Sequence, residues 1–218
     1  MRMKKHICLI GEDLSNSLSK KFYEYMYDCV CTNIECKSLP NLKELAQVFD
    51  GIAITSPFKF DAGKQLSKKR PINFVDNMCN AYLTDSDAFM DIVKPVIWNG
   101  SHSTKSRRIY VLGHGAMAEM VIRLLKADYK VIQISSRDPF EWEDECLGVI
   151  NCSKAKKYFH IYIPNAQFYY DMNYNGGYDT EFTIWMKTLN QSAIVVTGYL
   201  QLAKQCELNM QIIGAEKK

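Results

Sequence analysis

Short apolar runs, each ending at a glycine, a proline or a polar cluster, alternate along the chain with longer stretches in which apolar residues recur every three to four positions. The first pattern is that of buried strands, the second that of helices covering a sheet. His6 to Ile10 is predicted as a strand ending at Gly11, Lys20 to Tyr27 as a helix with Phe22 and Met26 on one face, and Cys29 to Cys36 as a second strand. Pro40 opens a helix over Asn41 to Phe49. Gly51 to Thr55 reads as a strand that breaks at Pro57, and Gln65 to Arg70 as a basic helix end. Thr84 or Asp85 caps a helix through Val93, which Pro95 ends. Trp98 to Ser106 is polar, contains Gly100, and reads as the linker between two domains.

The second half repeats the alternation. Ile109 to Leu112 is a short apolar run, and Met120, Val121, Leu124 and Leu125 follow at helical spacing. Lys130 to Ile134 is a strand, and Pro139 to Glu145 an exposed turn. Gly148 to Ser153, Phe159 to Ile163 and Phe168 to Asn173 are strand candidates. Glu181 to Asn190 is a helix, Ala193 to Thr197 a strand, and a last helix from Gly198 carries Leu202, Gln205 and Leu208. Strands alternating with helices predict two α/β domains. The first comprises residues 1–98 and the second residues 99–198, with the last helix following over 199–218.

Composition narrows the class without naming it. At 218 residues the chain can bury a real core, and its 47% apolar and 23% charged residues are those of a soluble globular protein. A net charge of +3 argues for neither nucleic acid nor a membrane surface, and no apolar run is long enough to span a bilayer. Arg2, Lys4 and Lys5 precede only Ile7 to Ile10, which fits a first strand rather than a signal peptide. The eight cysteines form no Cys-x-x-Cys, so buried reduced thiols in a cytoplasmic protein are expected, with no metal site.

The sharpest chemical signal is Gly113-His114-Gly115-Ala116-Met117-Ala118, set between a strand and a helix. The first glycine permits a tight turn, the second lets backbone approach a pyrophosphate, and the third small residue lets helix pack on strand. The helix N-terminus would hold the phosphates. His114 either lies near the cofactor or fills a tolerated position of the turn. At the end of the next strand, Ser135-Ser136-Arg137 offers an arginine where an acidic residue would bind the NAD ribose, which suits the 2′-phosphate of NADP. Thr55 and Lys59 stand at the C-terminal end of the Gly51 strand, where open α/β sheets bind ligands. Lys59 is either solvated or a proton carrier. Ser17 and Ser19 are either helix caps or hydroxyls for a polyol substrate.

Together these pieces resemble shikimate dehydrogenase over nearly the whole chain, in order. Gly11-Glu-Asp-Leu-Ser-Asn-Ser17-Leu-Ser19 is similar to the family's Gly-x-Pro-x-x-His-Ser-x-Ser opening, and Gly51-Ile-Ala-Ile-Thr55-Ser-Pro57-Phe-Lys59 to its Asn-Val-Thr-x-Pro-x-Lys strand end. Asn80-Ala81 resembles its Asn-Thr pair, Leu83-Thr84-Asp85 its Asn-Thr-Asp triplet, and Ser136-Arg137-Asp138 its Asn-Arg-Thr. Ile150-Asn151-Cys152-Ser153 resembles Ile-Asn-Ala-Thr, and Asp171-x-x-Tyr174-Asn175 resembles Asp-x-x-Tyr-Asn-Pro. Gly198 and Gln205 keep the spacing of the final helix.

The resemblance implies an N-terminal open α/β substrate domain and a Rossmann-like NADP-binding domain with the cleft between them, and a C-terminal helix 199–218 that completes the substrate domain so that Gln205 faces the same cleft as Lys59. It implies NADP-dependent, reversible hydride transfer between NADPH and 3-dehydroshikimate. The alternatives are a tailoring oxidoreductase of the same fold acting on a quinate-like or aminated analogue, and a non-catalytic ligand-binding homologue. Lys59 and Asp85 would be the catalytic pair. Ser17, Ser19, Thr55, Asn80, Tyr174 and Gln205 would bind a cyclic polyol carboxylate. Gly113, His114, Gly115, Ala116, Met117, Ser136, Arg137, Asn151 and Gly198 would bind NADP(H). No nucleic acid or membrane partner is implied, and the protein would be a monomer or homodimer.

The chain also departs from the family pattern. Ala53 and Leu83 stand where the family has Asn, no Pro follows Tyr174-Asn175, and Asn80 lies only five positions before Asp85. Asn151 follows Arg137 by only 14 positions, which predicts a trimmed nucleotide domain lacking one helix and one strand.

Overall fold

The computed structural model describes residues 4–15, 17–101, 106–135, 145–153, 165–174 and 179–218. The chain divides into two compact units, Met1–Ala88 with Leu202–Lys218, and Phe89–Gln201.

The first unit holds β1 (Lys5–Gly11), α1 (Ser19–Met26), β2 (Cys29–Glu35), α2 (Leu42–Leu45), β3 (Gly51–Ile54), α3 (Lys59–Gln65), β4 (Phe74–Asp76), β5 (Ala81–Tyr82) and the start of α4 (Thr84–Ser101). Its sheet runs β2-β1-β3-β4-β5. β1, β2 and β3 are parallel, whereas β4 and β5 are antiparallel additions. β1 and β3 are central, and their apolar runs are buried without alternation, as expected of strands covered on both faces. The edge strand β2 buries only Cys29 and Cys31, and its other residues are exposed or half-buried.

Both α2 and α3 differ from their sequence prediction. α2 occupies only Leu42–Leu45 of the expected Asn41–Phe49, with the Asn41 side chain accepting from the Lys43 N–H. Gln47 and Val48 then donate to the carbonyls of Glu44 and Leu45, three residues back, which tightens the chain out of α geometry. The basic run after Gln65 lies beyond α3, and the helix begins at Lys59 itself.

The second unit contains the rest of α4, then β6 (Arg108–Leu112), α5 (Ala116–Leu125), β7 (Lys130–Ile134), β8 (Glu145–Asn151), β9 (Asn165–Asp171), α6 (Glu181–Leu189) and β10 (Ile194–Val196). The last helix, α7 (Gly198–Ile212), starts here and belongs to the first unit from Leu202 onward. Pro95 does not end α4, and Trp98–Ser101 are helical rather than linker. The proline costs one backbone hydrogen bond. Continuing the helix buries Ile97 with Phe89, Ile92 and Val93 in the same core as Val111, Val121 and Phe168.

The second sheet is parallel throughout, ordered β10-β9-β8-β6-β7. From β6 the chain passes through α5 to β7 on one side, and β8 then pairs on the other side, so the strand order reverses at β6. Ligands of such sheets bind at the carboxyl ends of the strands flanking that reversal. β8 and β9 begin three residues earlier than expected, at Glu145 and Asn165. Gly148 lets the Phe168 ring lie against the neighbouring strand; a Cβ there would come within 2.1 Å of it. Phe159–Ile163, residues 139–144, Ser136, Arg137 and Asn175 lie outside the described residues.

Candidate active site

In the first unit, β3 ends at Ile54, and the following turn carries Thr55 and delivers Lys59 as the first residue of α3. Asp85 sits in the first turn of α4, where a carboxylate is favoured by the helix dipole. The Lys59 Nζ donates to Asp85 Oδ2 at 2.5 Å, with the two side chains only 16% and 6% exposed. An ion pair held this far from bulk water interacts in a low effective dielectric, and neither charge can be removed without stranding the other.

Asn73, which the sequence reading passed over, reaches this pair. It lies between Ile72 and Phe74 and is fully buried. Its backbone bonds Ile54 and Tyr82, tying the β3–β4–β5 meander together. Its side chain donates to Thr84 Oγ1 at 2.9 Å and accepts from the Asp85 N–H at 3.5 Å. The one available signal was a polar residue inside an apolar run.

Asn80 stands on the β4–β5 hairpin turn with Asp76. The Asp76 carboxylate accepts from the Asn80 N–H and side-chain amide at 2.8 Å each, from the Met78 N–H at 2.9 Å and from the Tyr82 hydroxyl at 3.0 Å. Burial would raise its pKa, but these donors outweigh it and hold the carboxyl below the usual range. Thr55 donates its hydroxyl to the Ile10 carbonyl at 3.0 Å, beside Gly11, where a Cβ would come within 2.5 Å of that hydroxyl. Ser17 Oγ accepts from the N–H of Ser19, the first residue of α1, at 3.4 Å. Gln205 is half-buried on α7.

In the second unit, Gly113 follows β6 with φ +108°, and a Cβ there would press on Ser153 at 2.9 Å. Gly113 donates to the Ile134 carbonyl, so the Gly-rich turn abuts the end of β7. Gly115 has φ +145°, and no atom lies within 4 Å of the place its Cβ would occupy. It precedes α5, which has no side-chain cap. Ala116 and Met117 form the first turn of that helix, and His114 is exposed beside them. A positive-φ glycine facing open space before uncapped N–H groups fits a dinucleotide diphosphate.

The carboxyl ends of β8 and β9 are fastened by Asp171, buried to 1%. It accepts from Asn151 Nδ2 at 3.1 Å, from the Asn173 N–H at 3.0 Å and side-chain amide at 2.9 Å, and from the Thr180 hydroxyl. Asn151 Oδ1 in turn accepts from the Ser153 N–H at 3.0 Å, fixing the strand end that faces Gly113. Gly198 permits close approach of Asn173, whose carbonyl would lie 2.3 Å from a Cβ. Tyr174 and Tyr199 have ring centroids 5.9 Å apart. Gln201, also missed from sequence, is buried and accepts from the Tyr170 hydroxyl at 2.6 Å. Among the described residues no group of three or more His, Cys, Asp or Glu side chains could hold a metal, and none of their helices is long and apolar enough to cross a membrane.

No family model matches the chain, and neither does any curated protein sequence. Solved structures do. The shikimate 5-dehydrogenase of Thermus thermophilus, in complex with shikimate, is similar over 97% of this chain and 92% of its own, with a TM-score of 0.69 at 18% identity. The quinate dehydrogenase of Corynebacterium glutamicum, in complex with NAD, is similar over 99% and 95%, with a TM-score of 0.69 at 16% identity. The shikimate dehydrogenase of Thermotoga maritima is similar over 96% and 93%, with a TM-score of 0.62 at 18% identity. The chain has the fold of the shikimate dehydrogenases, at 16–18% sequence identity to these three.

Proposed function

We propose that this protein is an NADP-dependent oxidoreductase that interconverts a cyclic polyol carboxylate and its ketone, with 3-dehydroshikimate and shikimate as the pair. The observation that carries the proposal is the sequestered Lys59–Asp85 ion pair at the head of α3 and α4. The fold supports it, because solved structures of this fold are described as shikimate and quinate dehydrogenases.

The nicotinamide, when bound, supplies or accepts a hydride at the carbonyl carbon. Gly113, Gly115 and the first turn of α5 would hold its diphosphate, and Arg137 the 2′-phosphate. In the reducing direction the substrate oxygen gains negative charge and takes a proton from the Lys59 ammonium; in the oxidising direction Lys59 takes that proton back. Asp85 orients the ammonium and accepts hydrogen bonds from substrate hydroxyls. Ser17, Ser19, Thr55, Asn80, Tyr174 and Gln205 would complete the binding of hydroxyls and carboxylate.

A titration with NADPH followed by nicotinamide fluorescence, then initial rates with shikimate, quinate and aminated analogues, tests the reading. Binding with turnover of shikimate is the expected result. Turnover of quinate or an aminated analogue alone moves the assignment to a tailoring enzyme. Absence of turnover on the whole panel overturns the enzyme assignment.

A further inference from the structure

A chain of buried polar side chains runs from α7 to the ion pair, and nothing in the proposed chemistry uses it. Asn209, on α7, is fully buried. Its Oδ1 accepts from the Thr84 hydroxyl at 2.6 Å, and its Nδ2 donates to the Tyr23 hydroxyl at 2.6 Å. Thr84 Oγ1 also accepts from Asn73 Nδ2, and Asn73 Oδ1 accepts from the N–H of Asp85. Tyr23 is itself 1% exposed.

The bonds join positions separated by 125 and 186 residues, so no local propensity holds them. The hydroxyl of Thr84 both gives and accepts, and its neighbour in sequence is Asp85. A core site built only for stability would be served as well by apolar side chains, since a buried polar network adds little net stability over a well-packed apolar one. What directional bonds add is geometry. They fix the rotation and depth of the first turn of α4, from which the Asp85 carboxylate projects to Lys59.

We propose that Asn209 is a positioning residue for the Lys59–Asp85 pair, acting through Thr84 to hold the head of α4 in register. The proposal rests on the oxidoreductase reading for its kinetic arm and not for its spectroscopic one. In the kinetic arm, Asn209→Ala and Thr84→Val lower kcat about 10- to 100-fold, the range expected for a slightly misplaced reacting group, with KM little changed. Thr84→Ser recovers most of what Thr84→Val loses. In the spectroscopic arm, the protein is labelled with 15N-lysine and the Lys59 ammonium signal is assigned by its loss in Lys59→Arg. That signal is protected from exchange in the parent and shifts or broadens in Asn209→Ala and Thr84→Val.

Wild-type turnover in Thr84→Val, equal losses in Thr84→Ser and Thr84→Val, or a rise in KM alone would overturn the proposal. So would an unchanged Lys59 signal in the variants. If the parent shows no turnover on any substrate, the oxidoreductase reading fails while the ammonium signal still decides the positioning. If Asn209→Ala does not fold, Thr84→Val, which keeps the shape of the side chain, decides it.

Discussion

Lys59 and Asp85 stand 26 positions apart in the chain and meet at 2.5 Å. Each heads a different helix, α3 behind the parallel strand β3 and α4 behind the antiparallel hairpin β4–β5. The hairpin is what makes the meeting possible, because it returns the chain beside β3 and starts α4 level with the turn that bears Lys59.

Lys59→Ala is therefore expected to lower kcat by about 10²- to 10⁴-fold, the usual worth of general acid–base catalysis, while KM changes much less. Steady-state rates on the best substrate of the panel measure this. A variant turning over at the parent rate removes the proton-transfer assignment, whatever the cofactor site does.

In the proposed function Arg137, next but two in sequence after Ile134, selects NADP over NAD. Replacing Arg137 with Asp is expected to weaken NADPH binding and largely spare NADH. Parallel titrations of both nucleotides distinguish this from equal loss of the two, which would mean that Arg137 does not read the 2′-phosphate.

Much of this organisation is legible in the sequence, for reasons that particular residues make plain. β1, β3 and β6 are central strands, and unbroken apolar runs announce them. Gly113 and Gly115 announce a turn because their positive φ values admit few other residues. Lys59 is legible because the proline two positions earlier marks a strand end. What escapes depends on tertiary context. Pro95 should stop α4, and burial of Ile97 carries the helix past it. Asn73 and Asn209 look unremarkable in their segments, and each acquires its role only through its bond to Thr84. Asp171 shows in the sequence as a motif residue, but its fastening by Asn151 and Thr180 shows only in the fold.

The thiols offer a test that does not depend on activity. All eight cysteines are free. Burial pushes Cys8, Cys31, Cys146 and Cys152 up to about 12, so their thiolate fraction at neutral pH is negligible. With an aromatic disulfide reagent at about pH 8, native protein is expected to react first at the half-buried Cys36 and Cys79, and all eight thiols only after denaturation. Rapid labelling of Cys8 or Cys31 in the native protein would show that the sheet of the first unit opens readily.

Asp76 predicts a pH dependence of stability. Its carboxylate accepts four hydrogen bonds within the β4–β5 hairpin and is held below the usual carboxylate range. A carboxyl whose pKa is lower in the folded than in the unfolded chain contributes stability that is fully present above the unfolded value, about 3.9. That contribution is lost as pH falls through the folded value. Asp76→Asn preserves shape but loses the charge, and as a neutral amide its NH₂ now faces donors. The substitution should cost about 1–3 kcal/mol at neutral pH, the range for a hydrogen-bonded buried charge. The gap between parent and variant should narrow as the pH is lowered below about 4, where the parent takes up the proton the variant never binds. Urea unfolding of both proteins across that interval measures it. A gap that stays constant with pH would mean that the hairpin is held by shape alone, and that the turn presenting Asn80 does not depend on the Asp76 charge.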